Sequence, residues 1–199
     1  MNTWKINGYT IEYMEDIHCY LADGVILPSI TTLLKYEFSA KYYGLPSEIL
    51  KRAAEKGTYM HEAIQRYEEE GYETSLQELD GYIKLKNEYK WECIGNELPI
   101  ILFIENKPVA CGRLDMVYKI NNQLGIMDFK RTSKLDIDYV SMQLNLYRLA
   151  YQQTYKETIK ELKVCHLRDK KHKIVEIPIE EEKSLEMVKK GLEIYYAEI

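Results

Sequence analysis

The sequence lacks long hydrophobic runs, clustered cysteines and a positive net charge, and each absence excludes a class of protein. No apolar run among the 199 residues approaches the length of a membrane span, and the first residues alternate in polarity without the apolar segment of a signal peptide. The cysteines show no C-x-x-C or other metal-ligand spacing, so we expect reduced thiols in a cytosolic protein. They are Cys19, Cys93, Cys111 and Cys165.

The net charge of -5 argues against a protein that simply coats a polyanion. A nucleic-acid enzyme of this composition needs local basic patches, and three segments are candidates, although each alone is more often an ordinary solvated face. They are Lys51 with Arg52 and Lys56, Lys130 with Arg131 and Lys134, and residues 168–173. The 18 tyrosines offer rings for base stacking, but tyrosine also fills half-buried positions in any small domain.

The remaining pattern predicts one mixed α/β domain over residues 1–199, without a linker, a repeat or a low-complexity tract. Two N-terminal hairpins within 1–27, packed on or beside the core, turn at Asn7-Gly8 and, in a segment starting at His18, near Asp23-Gly24. Ser29 is a candidate N-cap for a helix at Ile30. Downstream of this helix, the pattern predicts helices over 47–56, 58–70 and 75–92, followed by a strand over 97–105 and a hairpin of 109–118 with 124–130. A helix over 138–155 comes next, then strands over 159–167 and 174–179 around a polar turn at 169–172, and a final helix over 181–197.

The most informative motif is an Asp-x-Lys pattern at Asp128 and Lys130, thirteen positions after Asp115. Side chains two apart on a strand share a face, so Asp128 and Lys130 should project together while Phe129 turns into the core. Residues 121–123 predict the turn that brings Asp115 back towards Asp128. Two neighbouring carboxylates repel each other unless a cation compensates them. The hairpin therefore predicts a site for a hard divalent ion, with a lysine that can act on the attacking water.

The same motif is often only a weak ion pair on a solvated strand. Here Ile126, Met127 and Phe129 flank the charges, which is the pattern of a buried strand. Burying charge without a partner is costly, so the apolar flanks favour a functional site over the solvated face.

Two helical positions extend this candidate site. Gly57 is interpreted as the end of one helix and Thr58 as the cap of the next, which places His61 in a first turn, either as a structural residue or as a metal ligand. Gln143 and Tyr147 lie four apart and share a face of the helix that follows the motif. They either meet a phosphate or base near the site, or form a buried tyrosine with a satisfied glutamine.

Five segments, in order, resemble the PD-(D/E)xK nuclease superfamily, specifically its RecB-like and phage-exonuclease branch. Each segment alone is weak, whereas five in order over residues 28–147 are specific. The segments are 28–34 (PSITTLL), 56–61 (KGTYMH), 112–115 (GRLD), 128–130 (DFK) and 143–147 (QLNLY). The resemblance implies an α/β fold with a restriction-endonuclease-like core, in which helices flank a central mixed β-sheet.

The resemblance also implies roles for individual residues. His61, Asp115 and Asp128 would bind Mg²⁺ or Mn²⁺ together with the backbone carbonyl of Phe129, and Lys130 would position or activate water. The residues expected to contact DNA or to support the site are Gln143, Tyr147, Arg131, Lys134 and Thr58.

The sequence departs from the family pattern at two points. A glutamate is common four residues after the family histidine, where this chain has Gln65, and Glu62 and Glu68 are the nearby alternatives. The iron–sulfur members carry three clustered cysteines after the nuclease motifs, where this chain has only Cys165, so no iron–sulfur cluster is expected.

The expected function is a Mg²⁺- or Mn²⁺-dependent deoxyribonuclease, an exonuclease of phage-type DNA recombination or processing in a bacterial or phage-infected host cytoplasm. The motifs do not distinguish DNA from RNA. Candidate partners besides DNA are a single-strand annealing or single-strand-binding protein and further copies of the chain, and no membrane is expected. Two alternatives stay open: a noncatalytic nuclease-fold module that binds a repair or defence protein, and a nuclease subunit that is active only with a partner.

Overall fold

A computed structural model describes residues 2–14, 19–38, 47–168 and 171–197 of the chain. Within these ranges no helix is both long and apolar enough to cross a membrane. The elements, in chain order, are β1 (Asn2–Ile6), β2 (Tyr9–Met14), β3 (Cys19–Ala22), β4 (Val25–Leu27), α1 (Ile30–Phe38), α2 (Ser47–Glu70), α3 (Gln77–Tyr89), β5 (Glu92–Ile104), β6 (Lys107–Ile120), β7 (Gln123–Lys130), α4 (Ile137–Tyr155), β8 (Ile159–Arg168), β9 (Lys171–Ile177) and α5 (Glu181–Ala197).

Strands β1 to β4 form a small antiparallel sheet in sequential order. Both predicted N-terminal hairpins are present, and each turns on two residues with positive φ: 50° and 86° at Asn7-Gly8, 48° and 83° at Asp23-Gly24. A two-residue turn of this type matches the twist of the strands that it joins, which is why these dipeptides identify hairpins reliably. The expected segment start at His18 lies outside the described residues.

The larger sheet has five strands in the order β5-β6-β7-β8-β9. Neighbouring strands are antiparallel except β7 and β8, which run parallel because α4 carries the chain across the sheet between them. One buried cluster packs α1, α4 and α5 on this sheet, and another packs α2 and α3 on its other face. The chain is therefore an α/β fold with a mixed five-stranded sheet flanked by helices, as the sequence predicted.

The hairpin that carries the Asp-x-Lys motif is formed by β6 and β7, as expected. Ile120 pairs with Gln123 across a two-residue turn, in which Asn121 and Asn122 have φ of 47° and 66°. Asparagine tolerates this left-handed conformation better than most residues, so the turn and the register of the hairpin follow from local sequence.

The predicted helix break at Gly57 is wrong, because α2 runs without interruption from Ser47 to Glu70. Thr58 is therefore not a helix cap, and its Oγ1 donates a hydrogen bond to the carbonyl of Ala54, one turn earlier. A glycine inside a helix costs about 1 kcal/mol relative to alanine. The amphipathic run on both sides of Gly57 outweighs that cost, because tertiary packing supplies most of the stability of a helix in a protein.

Three predicted elements also differ from the structure by at least three residues at one end. The helix expected over 75–92 is α3, which ends at Tyr89 because Lys90 adopts a left-handed conformation with φ of 59°. Strand β5 consequently begins at Glu92 and not at residue 97. Strand β9 begins at Lys171 and ends at Ile177, before a proline, whereas residues 169 and 170 of the expected turn lie outside the described residues.

Two segments of the family-like pattern meet where α1 begins. Ser29 caps the helix as predicted, since its Oγ accepts a hydrogen bond from the backbone N–H of Thr32 at 3.0 Å. Gly112 on β6 lies under this helix start, and a Cβ there would be 3.2 Å from Cδ1 of Ile30 and 3.4 Å from Cε1 of Tyr147. Glycine at this position lets α1 and α4 approach the sheet closely.

Candidate metal centre

The hairpin of β6 and β7 opens at Asp115. Backbone pairing between the two strands ends at Met116 with Met127. Beyond that pair, Oδ2 of Asp115 accepts a hydrogen bond of 2.7 Å from the backbone N–H of Phe129. The carboxylate thus takes the place of a backbone acceptor. The other oxygen, Oδ1, is left to face the helix α2.

His61 on α2 meets that second oxygen. Its Nδ1 lies 3.5 Å from Oδ1 of Asp115 and 3.8 Å from Oε1 of Glu97. The other ring nitrogen, Nε2, lies 3.2 Å from the carbonyl oxygen of Phe129. With Nε2 donating to that carbonyl, Nδ1 is directed at the two carboxylates, which is the second-shell arrangement that orients a histidine towards a metal.

Glu97 is a member of the site that sequence reasoning missed. Its neighbours Asn96 and Leu98 pair with Met116 and Leu114, so Glu97 lies directly across from Asp115 on the adjacent strand. Its φ of 50° is the left-handed conformation, which is unusual for a glutamate inside a strand and is typical of functional sites. Its only sequence signal was a charged residue at the start of an expected strand.

The glutamates of α2 that the family pattern suggested, Glu62 and Glu68, do not provide the carboxylate beside His61 and Asp115. Glu68 is paired with Lys86 and accepts a hydrogen bond of 2.7 Å from the hydroxyl of Tyr82. Gln65 donates a hydrogen bond of 2.9 Å to Oε1 of Glu69. Glu62 lines the groove but does not belong to the cluster of ligand atoms described next.

His61, Glu97 and Asp115 form a compact donor set. One ligand atom from each of the three residues lies within 4.8 Å of the others. Carboxylate oxygens suit Mg²⁺ and Mn²⁺, and imidazole suits the transition-metal ion better. The chemistry of these donors therefore fits the divalent ion that the sequence predicted. Glu97 occupies the place in this donor set that the sequence predicted for Asp128.

Asp128 and Lys130 form a buried ion pair beside this cluster. Nζ of Lys130 lies 2.7 Å from Oδ1 of Asp128, so the two side chains project together as expected, while Phe129 is buried among α2 and α3 side chains. Asp128 is 2% exposed, and its Oδ2 has no hydrogen-bond partner in the described part of the chain. A buried carboxylate oxygen without a partner is costly, and a nearby cation would remove that cost.

Burial and neighbouring charges shift the pKa values of these groups. Burial raises the pKa of Asp128 to about 6, since it outweighs the opposite effect of Lys130, and Asp115 raises that pKa further. Burial lowers the pKa of His61, but Asp115 and Glu97 together outweigh it and hold that pKa at about 9. Without a metal ion, an imidazolium therefore compensates the carboxylates.

Gln143 and Tyr147 of α4 are both buried close to this site. Burial raises the pKa of the Tyr147 hydroxyl well above its usual value, and Asp115 and Asp128 add to the effect, whereas a hydrogen bond with Gln143 opposes it. Oε1 of Gln143 has no hydrogen-bond partner within the described ranges. The expectation of a satisfied glutamine is therefore not met, and an acceptor is left over beside the cluster.

The remaining predicted residues lie at the edge of the site or outside it. Arg131 makes an ion pair with Glu78, a buried carboxylate of α3, so its guanidinium is held away from the groove. Lys134 is exposed beyond the end of β7 and does not line the groove. Thr58 does line it, although its hydroxyl is engaged with the helix backbone.

A groove of about 1020 Å³ opens over the cluster. Its floor contains His61, Glu97 and Asp115, and its walls come from the N-terminal sheet, the start of α1 and one side of α2. The groove gives a substrate direct access to the ligand atoms, and its volume falls at the upper end of the range for small-molecule sites.

Comparisons with known proteins leave the site to be interpreted on its geometry. No family model matches the chain, and no curated protein matches it. Among solved structures the chain is similar to the crystal structure of SSO0001, with a TM-score of 0.46 and 16% sequence identity over 84% of this chain and 76% of that chain. A likeness at this level supports no conclusion about function.

Proposed function

We propose that the protein is a Mg²⁺- or Mn²⁺-dependent deoxyribonuclease with a restriction-endonuclease-like core, acting as an exonuclease in phage-type DNA recombination or processing. The observation that carries the proposal is the convergence of the His61, Glu97 and Asp115 ligand atoms at the open end of the hairpin that holds the Asp128–Lys130 pair. The ligands come from three separate elements, yet they meet in one accessible groove. Lys130 lies beside them, in its ion pair with Asp128.

The ion would be held by Asp115, Glu97 and His61, with the unpaired Oδ2 of Asp128 as a further donor nearby. A bound divalent ion supplies Lewis-acid polarisation of a phosphodiester and lowers the pKa of water. The fit follows from the donors themselves, because carboxylate oxygens and an imidazole are ligands that a divalent ion takes, and the bound ion would replace the imidazolium as the charge that compensates the carboxylates.

Lys130 is the group of this chain best placed to act on the reacting atoms. Asp128 fixes its ammonium, and the pKa of Lys130 is raised because Asp128 and Asp115 outweigh the lowering effect of burial. It therefore stays charged and can donate a hydrogen bond to the attacking water or to a phosphate oxygen. A fixed donor of this kind stabilises the charge that develops in the transition state.

The test is cleavage of labelled DNA by the purified protein with Mg²⁺, Mn²⁺ or a chelator. Single-stranded, double-stranded and end-blocked substrates, together with matched RNA, separate the substrate classes. Lys130→Ala should abolish most cleavage, while Lys183→Ala, which removes an exposed lysine of α5, should leave it unchanged. Cleavage that persists in chelator, or that Lys130→Ala leaves intact, would contradict the proposal.

The same assay decides the two alternatives. A noncatalytic binding module gives no cleavage with any metal or substrate. A subunit that needs a partner gives none alone but gains activity when a single-strand annealing protein is added. Activity of the isolated chain rules out both.

A further inference from the structure

The N-terminal sheet carries one face with two different ends. Ile11 pairs with Ala22, and Tyr13 pairs with Tyr20, two positions further along the same strands. Residues two apart on a strand, and residues paired across strands, share a face. The Ile11 end packs with Cys111 and other buried side chains of β5 and β6. Tyr20 belongs to the same buried cluster and Tyr13 packs against it, and both tyrosines also line the groove over the metal centre.

Three aromatic side chains of this face form what we call the aromatic wall: Trp4, Tyr13 and Tyr20. All three line the groove. Tyr20 is buried, and its ring supports that of Tyr13 at a centroid distance of 4.9 Å. Trp4 and Tyr13 are only half-buried, so part of each ring is open to the groove.

The aromatic wall is joined to the candidate metal centre by Arg113. Its guanidinium lies 6.0 Å from the centroid of the Tyr13 ring, and its Nε lies 2.5 Å from Oε2 of Glu97. Glu97 in turn faces His61 with its other carboxylate oxygen. Two successive side-chain contacts, through Arg113, therefore connect the ring of Tyr13 to Glu97, which we assign to the metal.

We propose that the aromatic wall stacks on unpaired bases, so that the substrate engaged in this groove is single-stranded DNA. This inference rests on the proposed function and names its substrate class. In a duplex the faces of the bases stack on one another and are closed to protein rings, whereas an unpaired base offers its face to an aromatic side chain. Lys35, which is exposed and also lines the groove, offers a cation for the backbone of the same strand.

An ordinary interface explains only part of these aromatic residues. Tyr20 belongs to the buried cluster that joins the N-terminal sheet to β5 and β6, and Trp4 and Tyr13 pack against that cluster. Trp4 and Tyr13 are nevertheless only half-buried, and both line the same groove as His61 and Asp115. An aromatic ring beside a site for phosphodiester chemistry can position the strand through its bases while the ion and Lys130 meet the backbone.

Tryptophan fluorescence gives a direct test. The chain has two tryptophans, and Trp91 is 3% exposed within the cluster of α2 and α3, so quenching by DNA reports on Trp4. Titrations use Lys130→Ala with Mn²⁺, so that the DNA stays intact. The probes are an oligodeoxythymidine of about 16 nucleotides, in the range of single-strand site sizes, and a blunt duplex of equal length. We expect the single strand to quench the fluorescence and to bind more tightly than the duplex.

Substitutions separate stacking from folding. Trp4→Ala and Trp4→Leu should each weaken binding of the single strand by about 5- to 150-fold, measured by fluorescence anisotropy, because one stacked base is lost. Trp4→Phe keeps a ring and should stay within a few-fold of the parent. Tyr196→Ala, which removes an exposed ring of α5, is the matched control and should bind as the parent does.

Three results would overturn the inference: wild-type-like binding by Trp4→Leu, equal binding of single strand and duplex, or no binding of the single strand. Each is distinct from failure of the proposed function, because binding is measured without cleavage. If the protein never cleaves DNA but Trp4→Leu weakens single-strand binding, the stacking role of the aromatic wall stands and the proposed nuclease function is refuted. If the protein cleaves DNA but Trp4→Leu binds the single strand as the parent does, the nuclease function stands and the stacking role is refuted.

Discussion

Without a divalent ion, the stability of the protein should fall as the pH rises from about 6.5 to about 9, because His61 gives up a proton that the folded state holds. Asp115 and Glu97 raise the pKa of His61 to about 9, against the lowering effect of burial, from an ordinary value of 6.5. In this pH window the folded chain binds one more proton than the unfolded chain. The contribution of His61 to stability is therefore fully present below pH 6.5 and is lost as the pH rises through about 9.

The size of the effect follows from the pKa shift of His61. The difference between 6.5 and about 9 corresponds to roughly 3 kcal/mol as an upper bound. The side chain is 27% exposed, so solvent screening reduces this value, and we expect about 1–3 kcal/mol. Asp128, with a pKa of about 6, changes stability in the same direction but at lower pH, so comparison with a His61 variant isolates the part that His61 contributes.

Urea denaturation in a chelator, repeated across this pH range, measures the effect. His61→Gln keeps an N–H donor for the Phe129 carbonyl but has no proton to lose, so its stability should depend less on pH. Saturating Mn²⁺ should reverse the wild-type trend, because a metal bound to the imidazole displaces the proton and binds more tightly as the pH rises. A His61→Gln variant with the wild-type pH dependence would refute the reasoning.

Three further predictions concern the ion, the chemical step and the substrate. Asp115→Asn and Glu97→Gln should each weaken Mn²⁺ binding, measured by calorimetry, by about tenfold or more, and wild-type affinity in both would contradict the metal assignment. Lys130→Ala should slow single-turnover cleavage by about 10²–10³-fold, with poor rescue by Lys130→Arg, whereas a rate within a few-fold of wild type would exclude a catalytic lysine. Lys35→Ala, which removes the exposed lysine that lines the groove, should lower the salt slope of DNA affinity by about one unit, and an unchanged slope would place the backbone elsewhere.

The parts of the fold that sequence predicted well are those fixed by a few neighbouring residues. Asn7-Gly8, Asp23-Gly24 and the asparagines at 121 and 122 each adopt positive φ, so turn chemistry alone locates three hairpins. The register of the last hairpin then brings Asp115 near Asp128 and turns Phe129 inward. Because strand alternation is strict, a motif of three residues was enough to predict which side chains converge.

The features that sequence did not predict depend on distant residues. Gly57 reads locally as a helix end, but the packing of α2 on the sheet maintains the helix through it. Arg131 reads as a basic residue ready for a phosphate, yet Glu78, from a helix more than fifty residues earlier, pairs with it. Neither partner can be identified from sequence spacing, because both contacts depend on how the helices dock.

Glu97 shows most clearly why a site can be only partly predicted. Its left-handed backbone and its position across from Asp115 depend on the pairing of β5 with β6, which no local pattern reports. Glu97 nevertheless connects the metal centre to the aromatic wall. One carboxylate oxygen faces His61, and the other pairs with Arg113, which reaches the ring of Tyr13. An ion bound by Glu97 should compete with Arg113 for the same carboxylate and weaken the ion pair between Glu97 and Arg113. The freed guanidinium would then be available to a DNA phosphate, so binding of metal and of substrate should reinforce each other.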